Sequence, residues 1–179
     1  MAHAVLTSCQ QEGLFRQEWG AMSFSQWLEH SRWVTAIGES SWMYPAAEVS
    51  HFFSLFLLVG TIAAIDLRLL GLARRRQSVT ELAEQLFPWM WISLGIAAIS
   101  GFVMFSTGAT AFMGSAQFRI KMVVTLVAVA FAVIVQRNTR NWDRPSGVPI
   151  LGKVTAGLSL ASWIGVLLAA TEIANYSAL

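Results

Sequence analysis

The feature that most constrains this chain is the stretch of residues 44–76, which is apolar and long enough to cross a bilayer yet carries Glu48, His51, Asp66 and Arg68. Fourteen uncharged residues separate His51 from Asp66. At the helical rise of ~1.5 Å per residue they cover roughly 21 Å, less than the ~30 Å hydrocarbon core, so both side chains are predicted to lie inside the membrane or at its edge. On a helical wheel Glu48, His51 and Asp66 share one stripe, which we expect to face protein because lipid tolerates such groups poorly.

The composition of the whole chain indicates a membrane protein. Of its 179 residues 55% are hydrophobic and only 12% are charged, whereas ordinary soluble domains have roughly a quarter charged residues. The basic residues form no face that could follow a phosphate backbone, so we expect no binding of nucleic acid. A single cysteine, Cys9, excludes an internal disulfide and any multi-cysteine metal site.

Four apolar segments are predicted to be membrane spans, at about residues 45–72, 89–107, 117–136 and 154–175. The connections between them are short, which favours an all-α, antiparallel four-helix transmembrane bundle in one domain of residues 23–179. Before the second span, Ser78 and Glu81 have the spacing of a capping box, and Pro88 is expected to open the span itself.

The segment before the first span has a different pattern. Residues 23–37 alternate apolar side chains, including Trp27 and Trp33, with charged ones. This segment is too short and too polar to span, so it is predicted to be an amphipathic helix in the interface plane. Residues 1–22 show no sustained apolar period; they are either a loose N-terminal extension or a stretch upstream of a true start at Met22.

Small residues recur at helical spacing in two spans. The second span carries a mildly polar face made of Ser93, Ala97, Ser100, Met104 and Thr107. In the fourth span small residues recur every four positions, at Gly157, Ala161, Gly165 and Ala169. Both patterns are typical of contacts between membrane helices.

The distribution of basic residues predicts the orientation. The connections after the first and third spans hold Arg74, Arg75, Arg76, Arg137, Arg140, Arg144 and Lys153, while residues 108–116 carry no charge. By the positive-inside rule the basic connections belong in the cytoplasm. The chain is therefore predicted to lie in a bacterial inner membrane with both termini on the outer side.

This topology brings polar residues of all four spans to one depth. Glu48, His51, Met104, Lys121 and Glu172 are each predicted to lie near the outer end of their span, below the interfacial helix that carries His30. Ordinary structural roles are available for each of them. Lys121 can extend to the outer headgroups, the glutamates can pair with Lys121 or Arg119, and His51 can hydrogen-bond a neighbouring serine or carboxylate.

A metal site is one alternative at this depth. Glu48 and His51 have the Glu-x-x-His spacing that di-iron bundles use twice, but here it occurs once. A mononuclear site of His51, Glu48 and Glu172 is the arrangement that remains, and the charge of Lys121 nearby opposes it.

A haem site is the second alternative. His51 would be an axial ligand of haem b, with His30, Met104 or Met122 as the opposite ligand. The chain has a single histidine within the spans, so a bis-histidine site inside the bundle requires a second chain, as in a homo-oligomer.

At the other end of the first span, Asp66 and Arg68 differ by two positions and point to different faces. Arg68 is expected to reach cytoplasmic phosphates. Asp66 is expected to face the bundle in a structural role, accepting a hydrogen bond from Arg74, from a serine of the second span or from a backbone group.

Several of these runs carry a resemblance. YPAAEVSHF, then DLRLLGL at the end of the first span, a proline-led second span and FRIKM at the start of the third resemble an uncharacterised family of small four-span bacterial membrane proteins, over about residues 22–179. More loosely, the outline is similar to membrane b-type cytochromes, from which the chain departs in lacking a second histidine within the spans.

The functional hypothesis is a membrane redox or accessory component in which His51 contacts haem or a quinone. The rival is a small transporter or a structural or assembly subunit without a cofactor; further membrane subunits are compatible with either. No serine-histidine-acid set, phosphate loop or paired catalytic carboxylates indicates a soluble-type enzyme.

Overall fold

The computed structural model describes residues 24–72, 78–144 and 147–176, with side chains up to residue 170. This part of the chain contains helices and turns and no strand, as predicted. The helices are α1 Phe24–Glu29, α2 Arg32–Glu39, α3 Met43–Leu70, α4 Val79–Ser106, α5 Ala109–Gly114, α6 Ala116–Trp142 and α7 Ile150–Tyr176. The N-terminal extension and the side chain of Glu172 lie outside the described part.

The four long helices form an antiparallel bundle. Helix α3 packs along α4 and α7, and α6 packs along the same two helices, so α3 lies diagonally opposite α6. Each of these helices is at least 21 residues long and apolar enough to cross a membrane, and at ~1.5 Å per residue that length covers about the ~30 Å of a hydrocarbon core. The predicted four-helix membrane bundle is confirmed.

The outer surface of the bundle is apolar. Phe53, Phe56, Ile99 and Leu126 are 67–76% exposed, an arrangement suited to lipid because water would strongly disfavour so many free apolar side chains.

Two apolar clusters fill the interior. The mid-bundle cluster consists of Leu58, Ile62, Met90, Ala128, Ala132, Trp163 and Val166. The basic-end cluster, nearer the arginine-rich connections, consists of Ile65, Leu69, Val79, Ala83, Val135, Trp142 and Ala156. The two clusters follow one another along the bundle axis.

Helix α4 begins earlier than the predicted second span. The capping box is present: Ser78 Oγ accepts from the Glu81 N–H at 3.1 Å, and the Glu81 carboxylate accepts from the Ser78 N–H at 3.2 Å. The short turn and the span are one continuous helix, with Pro88 inside it rather than at its start. A proline inside a helix removes one backbone hydrogen bond, and membrane helices tolerate this loss where neighbouring groups satisfy the freed carbonyl.

The interfacial segment forms two short helices instead of one. Ser31 is the N-cap of α2 in an extended conformation, and its hydroxyl donates to the Leu28 carbonyl at the end of α1, at 2.7 Å. Leu28, Val34 and Ile37 face inward and are buried. The carboxylate of Glu29 accepts from both the N–H and the hydroxyl of Thr110, at 2.7 and 2.9 Å. These two hydrogen bonds join α1 to the first turn of α5.

Small residues of α7 make less contact than their spacing predicts. A Cβ placed on Gly165 would lie 3.5 Å from Val124 of α6, whereas one on Gly157 would have nothing within 4 Å. Ala161 is exposed. The buried face of α7 instead carries Ala156, Ser159, Trp163 and Val166, because the larger side chains fill the centre of the bundle.

Candidate functional site

His51 lies on the α3 face that packs against α4. Its Nδ1 is 3.0 Å from the carbonyl oxygen of Ala97 and 3.1 Å from Ser100 Oγ. A carbonyl only accepts hydrogen bonds, so Nδ1 carries the proton. The Ser100 hydroxyl donates to the Ile96 carbonyl at 2.6 Å, which leaves its oxygen to accept from His51. The neutral imidazole therefore has its lone pair on Nε2, for which no hydrogen bond is found among the described residues.

Gly101 makes room for the imidazole. A Cβ on Gly101 would lie 2.9 Å from His51 Cε1, a distance that real Cβ atoms essentially never show. The small residues of this α4 face, Ala97 and Ser100 among them, let the ring approach the helix backbone. The sequence pattern identified this face of α4 as a packing surface but gave no role to Gly101. The position of this glycine, directly after Ser100, was the only indication in the sequence that a side chain could approach the helix backbone there.

Lys121 and Glu48 are the charged side chains nearest in the predicted layer. Lys121, on α6, is half-buried and its positive charge acts on His51 across the bundle diagonal. Glu48 is also half-buried, one turn from His51. Within the described residues no salt bridge joins Glu48 to Lys121; the ion pair considered from sequence is not formed there.

The other predicted ligands are placed differently. His30 is exposed, and its Nδ1 is 2.7 Å from the Gln26 carbonyl oxygen of its own helix. Met122 is 44% exposed on the outer surface. Met104 is half-buried on α4, three residues beyond Gly101.

These placements bear on both cofactor hypotheses. Of the opposite haem ligands predicted from the sequence, His30 and Met122 are exposed and Met104 is half-buried. Among the described residues no group of three or more His, Cys, Asp and Glu side chains converges on one point. A metal site at His51 and Glu48 thus depends on Glu172, whose side chain is not described.

An aromatic pair borders the site. Trp33 of α2 stacks on Phe102 of α4, with ring centroids 6.3 Å apart. Phe102 follows Gly101 directly, so the interfacial helix contacts α4 at the level of His51. Both rings remain accessible, Trp33 being 45% and Phe102 52% exposed. Phe52 and Phe53 of α3 are exposed as well.

Asp66 lies in a second polar region, between the two apolar clusters. It is 0% exposed, and neither carboxylate oxygen has a hydrogen-bond partner among the described residues. The hydroxyl that faces it belongs to Ser159 of α7 rather than to a second-span serine, and it makes no hydrogen bond of ordinary geometry. Arg74, the other side chain predicted as a partner, lies outside the described residues. Arg68, half-buried, also lies on α3.

The four apolar helices and their internal polar residues define an all-α, multi-pass membrane protein. A model of one protein family, described as "Family of unknown function (DUF6644)", matches residues 24–175. The chain belongs to this family, and the predicted membership of an uncharacterised family is confirmed. No curated protein matches the chain, and no solved structure matches it.

Proposed function

We propose that the His51 site binds a membrane-soluble quinone, and that the protein is an accessory component of a membrane redox system. The observation that carries the proposal is the fixed imidazole: Nδ1 is held by Ala97 and Ser100, which leaves Nε2 as the ring nitrogen available to a ligand. A hydrogen-bond acceptor with one fixed orientation, half-buried in an apolar surrounding, is suited to a small apolar molecule with one polar end.

The chemistry of a quinone matches the groups at hand. The hydroxyl of a reduced quinone donates hydrogen bonds, and the lone pair of Nε2 accepts one. The carbonyl oxygen of an oxidised quinone accepts hydrogen bonds, and the ammonium of Lys121 donates them. The isoprenoid tail would lie along the exposed apolar surface of α3. The proposal concerns binding, and no electron-transfer step is assigned to the protein alone.

Haem b and a metal ion are the cofactor alternatives: haem would need a second ligand such as Met104, and a metal ion would need Glu172, whose side chain is not described. The remaining rival is a small transporter or assembly subunit in which His51, Glu48 and Lys121 act through hydrogen bonds and charge alone. Quinone binding separates these alternatives directly.

The decisive experiment titrates the purified protein with short-chain ubiquinone and menaquinone analogues in lipid nanodiscs. We expect saturable binding that His51→Ala and Lys121→Met each weaken about tenfold or more, the effect of losing a hydrogen bond worth ~1.5 kcal/mol. Val49→Ala, at a position 60% exposed on the same helix, and Arg119→Met, exposed on α6, are matched controls that should bind normally.

Equal affinity in wild type and His51→Ala would refute the quinone site. A Soret absorption band that disappears in His51→Ala would instead establish the haem alternative.

We further propose that the arginine-rich end of the bundle faces the cytoplasm of a bacterial cell, on the basis of the positive-inside rule. In a Cys9→Ser background, a cysteine at Ala111 should react with a membrane-impermeant maleimide in intact cells. One at Asn138 should react only after permeabilisation. The opposite pattern would reverse the orientation.

A further inference from the structure

A groove opens between α4 and α6 at the end of the bundle that carries the basic connections. Its volume is about 510 Å³, within the range of ~300–1,000 Å³ that small-molecule sites occupy. Its α4 wall extends from Thr80 to Trp91, and its α6 wall extends from Gln136 to Arg140. We call it the basic-end groove. It is separate from the site at His51, which lies nearer the opposite end of α4.

The α6 wall of the groove carries two arginines. Arg137 and Arg140 are exposed, and three residues apart they are neighbours on the helix surface. Arg140 Nη2 donates to Glu84 Oε1 of α4 at 2.8 Å, so the ion pair joins the two walls and leaves other N–H groups of this guanidinium for a ligand. Within the described residues no salt bridge involves Arg137. Two arginines and one glutamate line the groove, so its lining carries one net positive charge.

The groove becomes apolar farther along α4. This helix enters the membrane from the basic end, so Phe87, Pro88 and Trp91 lie about one to two turns deeper than Glu84. Trp91 Nε1 donates to Gln136 Oε1 of α6 at 3.1 Å, which holds the indole against the opposite wall. The order along the groove, first charged and then aromatic, is the order of a phospholipid, whose headgroup lies at the interface and whose acyl chains lie deeper.

We propose that the basic-end groove binds one anionic phospholipid, with its phosphate at Arg137 and Arg140 and an acyl chain along Pro88 and Trp91. Guanidinium groups donate paired hydrogen bonds to phosphate oxygens, and basic pockets between membrane helices bind anionic headgroups. A zwitterionic headgroup brings its own positive charge, which the arginines repel, so the net charge of the groove favours an anionic lipid. The proposal is independent of quinone binding at His51.

Native mass spectrometry of the full-length protein in a non-ionic detergent tests the proposal. Dioleoyl phosphatidylglycerol or dioleoyl phosphatidylcholine is added, and the bound lipids are counted at each concentration. We expect one phosphatidylglycerol molecule to bind about tenfold more tightly than phosphatidylcholine. Glycerol phosphate has the same phosphate but no acyl chain, and should not bind at these concentrations because the apolar part of the groove stays empty. Equal binding of the two lipids, or equally tight binding of glycerol phosphate, would overturn the proposal.

Two matched pairs of variants locate the bound lipid. Arg137→Gln should weaken phosphatidylglycerol binding about tenfold, the effect of losing a hydrogen bond to a charged group. Lys153→Gln removes an exposed positive charge from the first turn of α7, outside the groove, and should bind normally. Trp91→Leu should weaken binding several-fold, whereas Trp89→Leu, at a residue 55% exposed and outside the groove, should not. Equal losses within either pair would refute a site in the groove.

The four substituted side chains are all exposed, so the variants are expected to fold. The comparison of the two lipids in the unaltered protein needs no variant and can overturn the proposal by itself. The same spectra report the mass of the protein. A dimer that Trp91→Leu dissociates, without selective binding of phosphatidylglycerol, would assign the groove to a second copy of the chain and also overturn the proposal.

Discussion

His51 and Asp66 lie on the same helix and the same stripe, yet the bundle places them in opposite environments. His51 is half-exposed, and α4 supplies an acceptor and a hydroxyl for its Nδ1. Asp66 is fully buried and has no hydrogen-bond partner among the described residues. The neighbouring helix, not the stripe itself, therefore determines whether an intramembrane ionisable group finds a hydrogen-bond partner.

The packing around the two residues explains the difference. Near His51 the facing residues of α4 are small, including Ala97, Ser100 and Gly101, so the imidazole reaches the backbone. Near Asp66 the interior is filled by apolar side chains such as Ile62, Met90 and Ala132.

The largest expected effect is a loss of stability when the mid-bundle cluster is disrupted. Trp163 is 1% exposed and belongs to the mid-bundle cluster, so Trp163→Ala should lower the free energy of unfolding by about 3–5 kcal/mol, the cost of leaving a large cavity. Chemical denaturation in mixed micelles measures it. Trp33→Ala, at a residue 45% exposed beside the His51 site, should cost much less. Similar losses of unfolding free energy in Trp163→Ala and Trp33→Ala would contradict the difference between a tightly packed interior around Trp163 and an exposed region around Trp33.

A smaller effect is expected at the boundary of the His51 site. Because a Cβ on Gly101 would lie 2.9 Å from the imidazole, Gly101→Ala should displace His51 and destabilise the fold by about 1–3 kcal/mol through overpacking. It should also weaken quinone binding. Gly95→Ala, on the same helix with nothing within 4 Å of the added Cβ, is the matched control and should leave both properties unchanged. Unaltered binding in Gly101→Ala would show that the ring position is unimportant.

The smallest expected effect concerns Asp143. Unlike the carboxylate of Asp66, the carboxylate of Asp143 accepts hydrogen bonds from several donors. Burial by itself raises the pKa of Asp143. Hydrogen bonds outweigh it: the Thr80 N–H donates at 2.9 Å, and the Thr80 hydroxyl, the Val79 N–H and the Ser78 hydroxyl add to it, so the pKa lies below its ordinary value. A lowered pKa in the folded state stabilises the protein above the unfolded pKa of ~3.9, and this contribution is lost as the pH falls through the folded pKa.

Asp143→Asn should therefore cost about 0.3–1 kcal/mol at neutral pH, since the carboxylate also lies at the N-terminus of α4. Thermal unfolding followed from pH 7 downward, a range that spans the ordinary aspartate pKa of ~3.9, should show the difference from wild type shrinking below that value. A difference that stays constant with pH would mean that the charge of Asp143 contributes nothing.

Part of the candidate site could be predicted from the sequence. An apolar stretch interrupted by Glu48, His51 and Asp66 indicated a protein-facing stripe, and the small residues of the second span indicated a packing face. The contact of the Ala97 carbonyl with His51, and that of Ser159 with Asp66, depend on the register of helices far apart in sequence. Periodicity within one helix contains no information on that register.

The sequence by itself determined features that depend on one segment at a time. These are the four spans long enough for a bilayer, the capping box of Ser78 and Glu81, and the amphipathic segment before the first span. Only the tertiary structure decided that Ser31 breaks this segment in two, that α4 continues through Pro88, and that His51 finds a partner while Asp66 does not. The physical reason is that helix formation in lipid satisfies backbone hydrogen bonds within each segment, whereas the partners of buried side chains come from other helices and are set by how closely those helices pack.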